Sequence, residues 1–374
     1  MSEPHIGRRQ FVREGSAMVA AAAAAGNAVG AEAETKADAK NTVNYNPKMR
    51  YRKLGKTDLM VSEVSLGGHW KNRGGGRYWG DFANDECPED VGKNRADVIS
   101  ACEDVGINYL DITTSAECCA YGVALKDRRE KMIVGADDYR ICPRQRQNCN
   151  VEALTKGVEG CISRLQTDYL DIWRPQMDMG GNNTDDDLKI VIETFQKLHK
   201  AGKVRHLGMS SHSRPWTQHV VENFPEFEMF IFPCTAKTKE KEKPPLKDNV
   251  TGGESEHSVF EALRKGNAGL VTIKPFAGGS LFKLAGKFPV LGAGAKEEND
   301  LARLTLQCIL TNGAITATVP GLTTVYEVEN AARASYERLL GMSPREQEWL
   351  ARMTDERWEQ LPEEYQWLRD WEVI

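Results

Sequence analysis

The chain has 374 residues, 40% apolar and 28% charged, with 49 Lys and Arg against 54 Asp and Glu for a formal net charge of -5. That length admits two average domains or one large α/β barrel, and the composition is ordinary for a globular protein. Mild acidity without a basic stripe argues against nucleic acid or an anionic membrane as partner. After the first thirty residues no run of about 18 uncharged apolar residues occurs, so no stable membrane span is expected once those residues are removed.

The chain opens with Gly7-Arg8-Arg9-Gln10-Phe11-Val12-Arg13, then Ala17-Met18-Val19, an alanine run to Ala25, and small residues through Ala31-Glu32-Ala33. This is a charged region, a short apolar region and A-x-A-like cleavage options in the order of a signal peptide. The arginine pair with Phe two residues on is similar to a twin-arginine export signal. Residues 1–33 therefore read as the signal and 34–47, charged and then Asn-rich, as a flexible lead. Residues 48–374 read as one barrel domain. The implied partner is the twin-arginine export machinery, and the implied location is periplasmic or otherwise exported. The competing reading is a disordered or helical Ala-rich tail.

Residues 50–61 read as two short strands around a Gly-containing turn. From Val64-Ser65-Leu66-Gly67-Gly68 onward, strands and helices alternate. Helix 93–104 leads to strand 108–112, a short helix near 119–126 to strand 132–136, and helix 151–165 to strand 169–173. Helix 187–200 leads to strand 204–210, a helix from Pro215 to strand 229–232, and helix 257–265, after a polar loop at 235–256, to strand 270–275. Helix 300–312, strand 315–320, helix 326–338 and a Trp-rich helical tail complete the chain. Eight such units with apolar strands fit a closed parallel (β/α)8 TIM barrel with a short N-terminal hairpin better than an open sheet. No G-x-G-x-x-G follows the first strand, which counts against a doubly wound nucleotide domain. Gly74-Gly75-Gly76 lacks a following Lys-Ser/Thr and reads as a loop.

Nine cysteines run from Cys87 to Cys308 without C-x-x-C spacing, so no metal cluster is expected. Cys87, Cys118, Cys119, Cys142 and Cys149 fall in predicted loops or loop edges and could pair in an oxidising compartment. Cys102, Cys161 and Cys308 lie in helical patterns and read as buried thiols.

Six stretches in order resemble the aldo-keto reductase family: residues 51–57, 106–111, 164–176, 204–210, 274–281 and 319–321. The resemblance implies a barrel binding a nicotinamide nucleotide, NAD or NADP, and a small-molecule substrate at the C-terminal strand ends. The family reduces carbonyls with an Asp, Tyr, Lys and His: Tyr donates the proton, Lys lowers its pKa, Asp pairs with Lys, and His orients the carbonyl. Carried onto this chain, the Asp is Asp111, while Ala116, Asp137 and Gln176 occupy the Tyr, Lys and His positions. Asp137 would set a second carboxylate near Asp111 and raise at least one of their pKa values. His69 and His212 follow strands and are candidate replacements, whereas Tyr121 reads as packing. His69, Asp111, Asp137 and Asp138 together are candidate divalent-metal ligands on the acidic-cluster reading.

On the nucleotide side, the resemblance points to Ser210 and Ser211 for the carboxamide, Lys274, Phe276, Gly278, Gly279 and Leu281 for the pyrophosphate loop, and Gly321 in the adenosine segment. Gly321 and Glu327 stand where basic residues often select NADP, and a Glu repels a 2'-phosphate. The leading reading is an exported oxidoreductase with a rebuilt catalytic set. The alternatives are a barrel that binds a ligand or partner without turnover, and a hydrolase or lyase using the acidic cluster.

Overall fold

The computed structural model describes residues 40–70, 82–238, 258–282 and 296–361, with residues 363 and 368. The signal-like segment 1–33, the start of the 34–47 lead, Gly74 to Gly76 and most of the polar loop 235–256 lie outside the described residues. Strands β1 (Tyr51–Lys53) and β2 (Met60–Ser62) form an antiparallel hairpin. Eight parallel strands follow as neighbours in chain order: β3 (Leu66–Gly67), β4 (Tyr109–Ile112), β5 (Ile133–Ala136), β6 (Leu170–Trp173), β7 (Val204–Ser210), β8 (Met229–Pro233), β9 (Gly269–Ile273) and β10 (Ala317–Thr318). The ring closes because Ser65 N donates to Thr318 O (3.0 Å) and Gly67 N to Pro320 O (2.9 Å), with parallel bridges Val64–Thr318 and Gly67–Gly321.

One helix follows each barrel strand: α1 (Glu89–Val105), α2 (Ser115–Ala124), α3 (Val151–Arg164), α4 (Asp185–Lys200), α5 (Arg214–Asn223), α6 (Val259–Lys265), α7 (Lys296–Ile309) and α8 (Val325–Glu337). A ninth, α9 (Pro344–Trp358), packs Leu350 and Met353 against Leu301 and Leu304 of α7. This is the (β/α)8 barrel with hairpin that the alternation predicts. No helix among the described residues is long and apolar enough to cross a membrane.

Helix starts are where the sequence reading slips, and their caps explain it. α2 begins at Ser115, not near 119, because Thr114 and Glu117 form a capping box. Cys118 and Cys119 are therefore helical and buried, not at loop edges. α1 begins four residues early, with Glu89 and Asp90 in the first turn where the helix dipole favours them. It ends at Gly106, whose φ of 86° suits a left-handed cap and whose absent Cβ leaves room for the Tyr51 hydroxyl. All nine cysteines are free thiols, so none of the pairings is formed.

Inside the ring the strands obey a period of two. Tyr109, Ile133, Ile172, Met229, Ile231, Val271, Ala317 and Val319 form one buried cluster, which Leu54 and Val61 of the hairpin segment complete from one end. Two glycines make room for large neighbours. A Cβ on Gly135 would collide with the Tyr109 hydroxyl, and one on Gly208 would sit 3.1 Å from Arg174 Cβ and 2.7 Å from Met229 Sδ.

Candidate active site

Continuing the same alternation past the strand ends brings polar groups to one pole. Asp111 follows Tyr109 on β4, Asp137 follows Ile133 and Gly135 from β5, and Arg174 and Gln176 follow Ile172 from β6. The Arg174 guanidinium grips Asp111 with both arms, Nε to Oδ1 at 2.6 Å and Nη2 to Oδ2 at 2.8 Å. Nη2 also donates to Ile112 O (2.5 Å) and Thr113 Oγ1 (2.9 Å). From below, the Tyr109 hydroxyl donates to Asp111 Oδ1 at 3.2 Å. All of this is buried, with side-chain exposures of 2% for Arg174 and 6% for Asp111. A two-armed, charge-assisted contact in such a place fixes geometry as well as charge.

Asp137 sits beside this pair. Its Oδ1 accepts from Trp173 Nε1 (3.2 Å), and its Oδ2 accepts from the Gln176 backbone N (2.9 Å) and Nε2 (3.4 Å). Burial pushes its carboxyl up to about 6, against the lowering pull of Arg174 and these donors. Burial likewise raises Asp111, with Arg174 opposing. The expected perturbation is present, but its cause is corrected. Loss of water is the leading cause for both carboxyls, and Arg174 acts on each of them.

The proposed acidic metal cluster does not assemble. Asp138 is paired with Arg140 at 2.9 Å, Asp111 with Arg174, and His69 Nδ1 contacts Glu117 Oε1. Among the described residues no group of three or more His, Cys, Asp and Glu could hold a metal ion. Tyr121 is packing, as expected: it is buried, edge-on to Trp70 at 5.8 Å, and accepts from Arg95 at 3.3 Å. Ala116 lies buried in the first turn of α2. Burial, Lys274 and Arg144 all push the His212 imidazole well below the usual range.

The nucleotide-side residues divide. Ser210 ends β7 and bridges to Gln176, whereas the Ser211 hydroxyl donates to Asp178 O (3.1 Å) and accepts from Ser213 N (3.1 Å), which commits it to the local turn. Phe276 is partly buried and stacks edge-on against Phe282 at 5.0 Å, and the Leu281 side chain is packed in the core. The turn they flank is strained: Lys274, Ala277, Gly278 and Gly279 have φ of 57°, 45°, 64° and 89°. Lys274 and Ala277 are non-glycine residues held in the left-handed region, at a local conformational cost. The Ser280 hydroxyl at this turn is buried, with no hydrogen-bond partner among the described residues. A buried orphan hydroxyl in a tight turn fits a phosphate oxygen as acceptor. Gly321 has a packing reason of its own, since a Cβ there would overlap the His69 carbonyl oxygen.

Arg174 lies inside the 164–176 stretch, but the sequence reading assigns it no role and passes over Glu117. Arg174 was legible as the next inward position after Ile172. Glu117 was legible as the last member of the Thr114-Ser115-Ala116-Glu117 capping pattern.

The chain is thus a closed parallel (β/α)8 barrel whose C-terminal pole carries a buried ion pair and a strained glycine turn. The pattern described as the Aldo/keto reductase family matches residues 93–339, and the chain belongs to that family. It is 24% identical over 320 residues to the L-galactose dehydrogenase of Arabidopsis thaliana, covering 79% of this chain and 91% of that protein. It is 27% identical over 179 residues to the uncharacterized oxidoreductase YqkF of Bacillus subtilis, and there spans 49% of the relative's length and 44% of its own. Among solved structures, an aldo-keto reductase from Klebsiella pneumoniae in complex with NADPH superposes with a TM-score of 0.57 at 16% identity, covering 82% of this chain and 94% of that one. The holo form of AKR11C1 from Bacillus halodurans gives 0.55 at 20%, covering 82% and 96%.

Proposed function

We propose that this chain is an NAD(P)-linked oxidoreductase acting on a small carbonyl or hydroxyl compound, with the family's catalytic set rearranged around Asp111. The observation that carries the reading is the two-armed Arg174–Asp111 pair. It keeps a cation on the retained Asp although the Lys position is Asp137, the cation now arriving from β6 instead of β5. Ala116 and Gln176 stand at the Tyr and His positions. Family membership and the Arabidopsis relative's name, a sugar dehydrogenase, support both the reaction class and a small polar substrate.

A bound nicotinamide nucleotide would supply or accept the hydride. Ser210 at the end of β7, the Lys274–Leu281 turn with Ser280, and the backbone beside Gly321 would hold it. Glu327 argues against strong NADP selection. Its carboxylate takes the backbone N–H groups of Thr323 (2.6 Å) and Thr324 (3.1 Å), so the anion-binding start of α8 is already filled. The twin-arginine-like residues 1–33 support export of the folded chain, with any tightly held nucleotide carried along. Cell fractionation with and without Arg8→Lys and Arg9→Lys tests that address. For the activity, the purified protein is denatured, released small molecules are identified by mass spectrometry, and NADH and NADPH are titrated by tryptophan quenching. Quenching by both, with NADPH no tighter than NADH, is expected; no bound nucleotide and no quenching would sink the oxidoreductase reading.

A further inference from the structure

Hydride arrival at a carbonyl carbon leaves an alkoxide that must take a proton, and Ala116 has none to give. The Tyr109 phenol is fully buried beneath Asp111 and donates to it, so it is aimed at the wrong partner. A different proton-bearing group stands at the same pole.

His69 follows β3 directly. Its neighbour Gly68 donates from N to Asp111 O at 2.7 Å, which ties the imidazole's backbone to the strand bearing the retained Asp. Gly68 has no alternative here, since a Cβ would sit 2.5 Å from Glu117 Oε2. The imidazole Nδ1 meets Glu117 Oε1. Glu117, the residue after Ala116, is itself fixed, with Oε2 accepting from Thr113 N (2.7 Å) and Thr114 N (3.2 Å). Exposure separates the two partners: the Glu117 side chain is 3% exposed and that of His69 39%. A hidden carboxylate thus backs a partly exposed imidazole. The loop is held from the other side as well, because Gly321 packs on the His69 carbonyl and Trp70 lies beneath the Arg95 guanidinium at 4.7 Å.

We propose that His69, oriented by Glu117, is the acid–base residue of this site. The assignment rests on the oxidoreductase reading above. In the reducing direction a bound dihydronicotinamide would supply the hydride to the carbonyl carbon, and the C–O π pair would become an oxygen lone pair. That oxygen takes the proton from His69 Nε2, leaving neutral imidazole to be reprotonated from water. The reverse step removes the alcohol proton onto Nε2. Glu117 is a positioning residue: its carboxylate accepts the Nδ1–H hydrogen bond, which fixes the tautomer and leaves Nε2 as the proton-transferring nitrogen.

The test is steady-state kinetics of the full-length protein with NADH and NADPH over an aldehyde and sugar panel, across pH, for wild type, His69→Gln, His69→Ala and Glu117→Gln. NADH quenching is run in parallel. The expected result is a loss of about 100-fold or more in kcat for His69→Gln, with quenching unchanged and one limb of the pH profile gone. Free imidazole should restore part of the His69→Ala rate, and Glu117→Gln should fall between that variant and wild type with a displaced pH limb. Wild-type turnover that survives His69→Gln within about threefold, with the same pH profile, overturns the assignment and leaves the oxidoreductase reading standing. Wild-type quenching without turnover on any substrate overturns both.

Discussion

Arg174 acts on two buried carboxylates, Asp111 and Asp137, and its removal should be felt at both. Arg174→Met leaves Asp111 ionised or protonated in a dry site without its partner, and we expect a loss of about 3–5 kcal/mol in urea unfolding. The double variant Asp111→Asn, Arg174→Met should be less unstable than Arg174→Met alone, because no uncompensated charge remains; an additive result would show that the pair is not coupled. Asp137 sets a pH dependence whose direction follows from its raised carboxyl. The folded state binds this proton more tightly than the unfolded chain, so the contribution to stability is complete below the ordinary value of 3.8 and is lost as pH rises through about 6. The difference is on the order of 3 kcal/mol. Asp137→Asn should flatten melting temperature between pH 4.5 and 7.5 relative to wild type, and an unchanged slope would contradict the assignment. These residues were only half legible beforehand. The alternation from Ile172 places Arg174 inward, yet nothing local reveals that β4 brings Asp111 to meet it from 63 positions away. Glu117 advertises a helix cap, but one carboxylate oxygen serving the cap while the other meets His69 is a fact of tertiary structure.

The elements were read more surely than their ends. Apolar strand cores and amphipathic helix faces repeat at fixed periods, so their order survives a shift of a few residues, whereas a boundary depends on one capping side chain. The hairpin β1–β2 shows what periodicity cannot supply. Its strands were expected, but its use as a stopper on the N-terminal end of the barrel appears only with Leu54 against Gly269 and Gly55 in the left-handed region, φ 57°, beside the Gly269 backbone. His206 latches this stopper, with Nε2 at 3.0 Å from Asp58 in the hairpin turn and Nδ1 at 3.0 Å from Glu228. Burial pulls the imidazole down, but the two carboxylates outweigh it and raise its pKa. The latch therefore contributes fully below the ordinary histidine range and is lost as pH rises through the raised value. His206→Gln should remove a stability difference between pH 6 and pH 8 of under about 1 kcal/mol, since Asp58 is largely exposed. Paired urea titrations at the two pH values measure it, and an identical difference in the variant would count against the latch.

Across the whole molecule, the barrel is closed unevenly. From β6 to β9 neighbouring strands share ladders of three to five residue pairs, but β3 and β10 have two residues each and meet through isolated bridges. Arg95 reinforces that seam from α1, donating to Leu322 O (2.8 Å) and Thr323 O (3.0 Å) while its guanidinium lies over Trp70. Arg95→Met should cost about 3 kcal/mol through the lost charge-assisted bonds. In hydrogen exchange, the amides of Ser65, Gly67 and Thr318 should open at lower free energy than those of β6 to β8; uniform protection around the ring would refute this.

The two loops joined at the seam are those that carry His69 and Gly321, so the first and last turns of the ring form a clasp. A closed hoop with one clasp has a preferred place to part, and its two halves remain otherwise intact when it does. A circular permutant with new ends between α4 and β7 would keep the clasp internal, joined by a linker from tail to head. One cut between β3 and α1 would separate the His69 loop from the Arg95 that braces it. The chain's native order instead lets the last strand to be made complete the ring, and only then does Arg95 meet the carbonyls of Leu322 and Thr323.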